Sequence, residues 1–138
     1  YSPEEKEFAD KIALSLGQKE ADIDRALSIQ PYKEEARAYG STDVGDVSFV
    51  VPTVGFGTAT WVPGTSAHSW QAVAAGGTTI GQKGMMVAAK TLTATAIDLF
   101  QNKELIEKAT LEFNNRRGKS FIYKPLLGNR PPALDYRK

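Results

Sequence analysis

The α/β class is what this sequence predicts. Two short runs rich in β-branched and aromatic residues, "DVSFVVPT" and "VGFGTATWVPG", read as strands. Helical patterns with cap signals stand on both sides of them. Helices, then two or three strands, then helices make a layered arrangement with a thin sheet. So small a sheet rarely stands alone, and the expectation is helices packed on a small sheet whose remaining strands come from elsewhere in a longer protein.

Each element has its own signal. Ser2, Pro3 and Glu5 form a helix start: a hydroxyl cap, a ring preset for the first turn, and a carboxylate where a capping box needs one. Phe8, Ile12 and Leu16 then recur every four residues as one apolar stripe, and Gly17 ends the helix. A second short helix is expected over Lys19 to Ser28, followed by a polar connection that Pro31 breaks. The first strand lies between Gly45 and Pro52, and Gly55 and Gly57 weaken the second. Between Gly64 and Gly81 the residues are mostly Gly, Ala, Ser and Thr, which suits a loop or the wall of a site. "GQKGMMVAAKTLTATAIDLFQNK" is the clearest helix, with Met85, Ala88, Ala89, Leu92, Ala96 and Leu99 on a broad apolar face, expected to pack on both sides. Asn102 caps a further helix carrying Leu105, Ala109 and Phe113, which ends at Gly118. The Pro-rich tail reads as irregular surface structure.

The totals bound the function. A chain of 138 residues fits one domain. A formal net charge of +1 offers no electrostatic case for nucleic acid or a membrane surface, and the basic "NNRRGKSFIYK" reads as a solvated helix end. The absence of cysteine excludes a disulfide scaffold and a thiolate metal site, and fits a reducing, cytoplasmic setting. No apolar stretch approaches the ~18 residues of a membrane span. The start "YSPEEKEFADKIALSLG" is not a signal peptide and lacks an initiator methionine, so the chain is expected to be a portion of something longer.

One histidine, His68 in "GTSAHSWQAV", is the only imidazole in the chain. It could supply one ligand to a zinc or manganese site completed by other residues, or simply bond a loop carbonyl. Asp43 and Asp46 in "GSTDVGDVSFVVPT" leave a similar choice between Asx-type turns and a role beside a ligand or substrate. No G-x-S-x-G elbow, P-loop or dinucleotide glycine pattern is present. Trp61 and Trp70 flank the histidine loop and could line a pocket or join a core.

"GSTDVGDVSFVVPT" and "AHSWQAVAAGGTTIGQKGMMVAAKTLTATAIDLF" together resemble the C-terminal part of the M20 family of metallopeptidases and amidohydrolases. "YSPEEKEFADKI" resembles the point where such chains re-enter the catalytic domain after the lid domain. The likeness runs from residue 1 to about Phe100. It implies the C-terminal part of a zinc-peptidase-like catalytic domain without its lid. The family's activity is hydrolysis of an amide at a dinuclear zinc or manganese site, with p-aminobenzoyl-glutamate-like amides or dipeptide-like molecules as substrate class. His68, in "SAHSWQ", matches the last metal ligand, and Asp43, Thr42 and Ser41 match a loop shaping the substrate pocket or supporting a ligand. The family's upstream ligand motif, bridging aspartate and adjacent glutamate pair are not in this sequence, so the segment alone is expected to be inactive. The resemblance also implies a homo- or hetero-oligomer of the full-length protein.

Two other readings stand beside this one. The first is a stand-alone, non-catalytic partner-binding or structural module derived from the family. The second is an unrelated small binding protein whose pocket is lined by Trp61 and Trp70.

Overall fold

In the computed structural model, residues 1–33, 40 and 42–135 are described. Those residues form helices and turns and contain no β-strand, which overturns the α/β expectation and its small sheet. The reason is local. In the first supposed strand the backbone bonds close within the segment: Asp46 N–H donates to Asp43 at 3.1 Å, and Val50 and Val51 N–H donate to Val47 at 3.0 and 3.1 Å. A single helical turn, α2 (Val44–Ser48), results. The second run takes no regular structure and has no neighbouring strand among the described residues to take its N–H and C=O groups, and a strand exists only as part of a ladder. Val47, Val50, Val51 and Val54 remain about half exposed or more. A β-rich composition states a preference, and only a pairing partner realises it.

The chain divides into two compact units. One takes the described residues of Tyr1–Arg37 together with Gly55–Gln101; the other takes those of Ala38–Val54 together with Asn102–Lys138.

The first unit begins with α1 (Pro3–Ser15). Its capping box forms as the sequence predicts: Glu5 N–H donates to Ser2 Oγ at 3.3 Å, and Ser2 N–H donates to Glu5 Oε2 at 2.6 Å. Gly17 follows in the left-handed region at φ 76°. Ala9 and Ile12 point into a small core with Ile23, Val62, Ala75 and Ile80, against which Phe8 and Leu16 pack in part. The second helix is shorter than expected, a single 3-10 turn at Ile23–Leu27 that buries Ile23. Asp22 gives it no side-chain cap, and nucleating an α-helix over so few residues costs more than its bonds return.

The small-residue segment is more ordered than a loop. Ser69 caps α3 (Trp70–Gly76), accepting from Ala72 N–H at 3.2 Å, and α3 packs on α4 (Thr79–Gln101). Glycines let the backbones meet. A Cβ on Gly81 would overlap the backbone of Gly76, and one on Gly84 would overlap the carbonyl of Ala59. The two-sided packing expected for α4 is not found: only Ile80, Gly81 and Gly84 are buried, while Met85 and Leu92 are more than half exposed.

In the second unit, Asn102 caps α5 (Lys103–Arg117) by accepting from Glu104 N–H at 3.1 Å, and Gly118 ends it at φ 82°. Both signals were legible in the sequence. Exposed pairs Lys103–Glu107, Lys108–Glu104 and Arg116–Glu112 run along α5, each worth about 0.3–0.5 kcal/mol. Phe49, just past α2, stacks on Phe121 and Tyr123 with centroids 5.3 and 5.8 Å away. Tyr123 donates its phenol to Asp46, and that hydrogen bond pushes the phenol pKa up. The described tail beyond Gly118 is turns and irregular chain. No helix among the described residues is long and apolar enough to cross a membrane.

Candidate functional site

The loop that presents His68 is built from its buried start. Val62, 1% exposed, anchors one end in the core. A turn follows, with Thr65 N–H donating to Val62 at 3.1 Å and Gly64 at φ 87°. His68 itself sits at φ 60° and is the one non-glycine residue in the left-handed region among those described. That conformation costs an ordinary residue about 1–2 kcal/mol, although histidine adopts it more often than most. Backbone strain of this kind concentrates at binding sites. The next residue, Ser69, holds the loop: its hydroxyl donates to Ser66 at 2.7 Å while capping α3.

Behind the loop, α3 is fastened to the core. Ala72 and Ala75 are buried, and buried Gln71 donates its side-chain amide to Ser15 Oγ at 3.3 Å. The loop and α3 border a shallow, open hollow of about 600 Å³ lined by Trp61, His68, Ser69, Trp70, Ala72 and Val73. No Lys, Arg, Asp or Glu is among the lining residues, so the imidazole is its only titratable group.

The other expected site residues lie in the second unit. Thr42 Oγ1 accepts from Val44 N–H at 3.4 Å, and Asp43 stands at the cap position of α2 without a side-chain cap bond. Ser41 lies outside the described residues. His68 therefore shares its compact unit with neither Thr42 nor Asp43. Among the described residues no group of three or more His, Cys, Asp or Glu side chains comes together. Against a zinc or manganese site, this donor set offers one imidazole, which is one ligand and not a completed site.

A second polar cluster was only half legible. Glu5 was visible as a capping-box residue, but its carboxylate also accepts from Thr79 Oγ1 at 2.5 Å and from Lys83 Nζ at 2.6 Å. Those partners are 74 and 78 residues away in sequence, beyond any local pattern. The Lys83 ammonium, then the Thr79 hydroxyl and the Ser2 amide, hold the Glu5 carboxyl down at about 2, against the opposing effect of burial. Lys83 also lies 5.4 Å from the Tyr1 ring centroid. The Asp46–Tyr123 pair, 77 positions apart, was likewise invisible in the sequence.

No family model matches the chain, and no solved structure matches it. Over 93 residues it is 37% identical to a p-aminobenzoyl-glutamate hydrolase subunit of Escherichia coli (strain K12). The match takes in 67% of this chain but 19% of that protein, so the chain spans about a fifth of its curated relative's length. Identity at that level, over a stretch that includes most of the chain, relates this protein to that p-aminobenzoyl-glutamate hydrolase subunit.

Proposed function

We propose that this chain is the C-terminal portion of the catalytic domain of an M20-type, metal-dependent amidohydrolase acting on p-aminobenzoyl-glutamate-like amides. The observation that carries the reading is His68: the one imidazole of the chain is held in a left-handed conformation and lines an open hollow with Trp61 and Trp70. The relation to a hydrolase subunit supports it. His68 would donate one ring nitrogen to zinc or manganese, whose chemistry is the activation of water for attack on an amide carbonyl. The bridging carboxylate, the general base and the other ligands are absent from this sequence, so no hydrolytic step is assigned to its residues and the segment alone is read as inactive. A contribution of Asp43, Thr42 and Ser41 to the substrate pocket rests on the resemblance of "GSTDVGD" alone. The relative's name as a subunit supports assembly into an oligomer, and the cysteine-free composition a cytoplasmic setting.

The test is His68→Gly in the intact protein, with metal affinity and thermal unfolding measured together. Glycine suits φ 60° without strain, so the fold should persist. Metal affinity should fall by at least about 100-fold, the upper range for losing even a supporting residue. Unchanged metal affinity in a folded variant would overturn the ligand role.

A second reading is favoured by one feature. Met85, Leu92 and Phe100 of α4 are 57%, 59% and 92% exposed, as in a stand-alone module that binds a partner protein. Such a module would hold no metal at His68, and the same experiment separates the two.

A further inference from the structure

We infer that Gln71 is a positioning residue for His68: its hydrogen bond to Ser15 fixes the start of α3, and with it the His68 loop, onto α1. The inference goes beyond the amidohydrolase reading and rests on it only for what the imidazole does.

Three observations carry it. First, only two polar side chains are buried among the described residues, Glu5 and Gln71, and both join α1 to a helix distant in sequence. Glu5 meets Thr79 and Lys83 at the start of α4, and Gln71 donates to Ser15 Oγ at 3.3 Å. A buried amide needs such a partner, since leaving it unpaired forfeits its hydration. Second, the bond has a set direction. The Ser15 hydroxyl donates to the Ile12 carbonyl at 2.6 Å, so toward α3 it offers only a lone pair. Position 71 must therefore supply an N–H donor, which Gln does and an apolar side chain or carboxylate of the same length does not. Third, α1 and α3 also share a core of Ala9, Ile12 and Ala75, but apolar contact is non-directional, whereas a hydrogen bond selects distance and angle. Gln71 lies on the first turn of α3, two residues past the Ser69 cap and three past His68. A shift of so short a helix would carry the loop with it.

The experiment uses the intact protein and two readouts. Hydrogen–deuterium exchange over peptides covering 66–76, resolved by mass spectrometry, reads the loop and α3 directly. Competition titration with zinc reads His68 as a ligand. In Gln71→Met and in Ser15→Ala, exchange over that stretch should be roughly five- to tenfold faster, the factor for losing one ordinary hydrogen bond, with the start of α1 unchanged. Zinc affinity should fall about tenfold in both, the low end of what a supporting residue costs a metal site. The double variant should be no worse than either single one, because both remove the same bond. Ser15→Thr, which keeps the hydroxyl, should restore both readouts. Ile23→Val, a core change that leaves the bond in place, controls for stability alone and should leave zinc affinity unchanged.

Exchange that stays unchanged around His68, or rises alike in every helix, would overturn the inference. So would additive losses in the double variant, or Ser15→Thr behaving as the alanine does. Zinc binding that depends on His68 but ignores Gln71→Met would overturn it too. If zinc affinity ignores His68→Gly as well, the amidohydrolase reading falls by itself, and the exchange rates still decide how the loop is held.

Discussion

Helix α4 has two very different ends. Its first six residues are finished structure: Ile80 is 1% exposed, Gly81 and Gly84 lie against other backbones, and Thr79 and Lys83 frame Glu5 of α1. From Met85 to Gln101 the helix carries apolar side chains of the same kind, and none of them is buried. Composition therefore does not explain the difference. What distinguishes the first end is that small residues let neighbours approach and a carboxylate from another helix arrives to meet the Lys and Thr.

The contrast is open to direct attack. Ile80→Ala should have the largest effect, a loss of about 2–5 kcal/mol, because it empties a fully packed site. Leu92→Ala, 59% exposed on the same helix, should change stability by about 0.5 kcal/mol or less. Denaturant melts of the two variants measure both, and equal losses would mean that the far end is packed in solution.

Gly84→Ala should come next. On an exposed helix face, alanine would gain up to about 1 kcal/mol over glycine. At Gly84 the new methyl group would overlap the Ala59 carbonyl, and forced overpacking costs about 1–3 kcal/mol. The clash should win, with a net loss seen as a lower denaturation midpoint. A gain would show that the 59–60 segment yields easily.

Glu5 differs in kind, because its effect is full at neutral pH and fades in acid. Its folded pKa, about 2, lies below the ordinary value of 4.5. The folded state thus favours the carboxylate, and this contribution is complete above about pH 4.5 and fades as pH falls toward 2. Glu5→Gln should remove that slope from a stability-against-pH curve between those limits. A wild-type curve already flat there would mean that Lys83 does not hold the carboxylate.

The sequence by itself determined whatever depends on neighbours within about four residues. The Ser2–Glu5 capping box, the glycine stops at Gly17 and Gly118, the Asn102 cap and the long helix before it follow from such spacing. The relation to a hydrolase subunit was legible too. Tertiary structure decided the rest. β-branched residues around Phe49 made a helical turn because their amides found local acceptors and no pairing strand. Glu5 met Lys83, and Asp46 met Tyr123, across more than 70 residues. His68 took a left-handed backbone in a loop held at Val62 and at Ser69. A local pattern ranks what a segment prefers; which preference survives depends on the groups that distant parts of the chain bring to it.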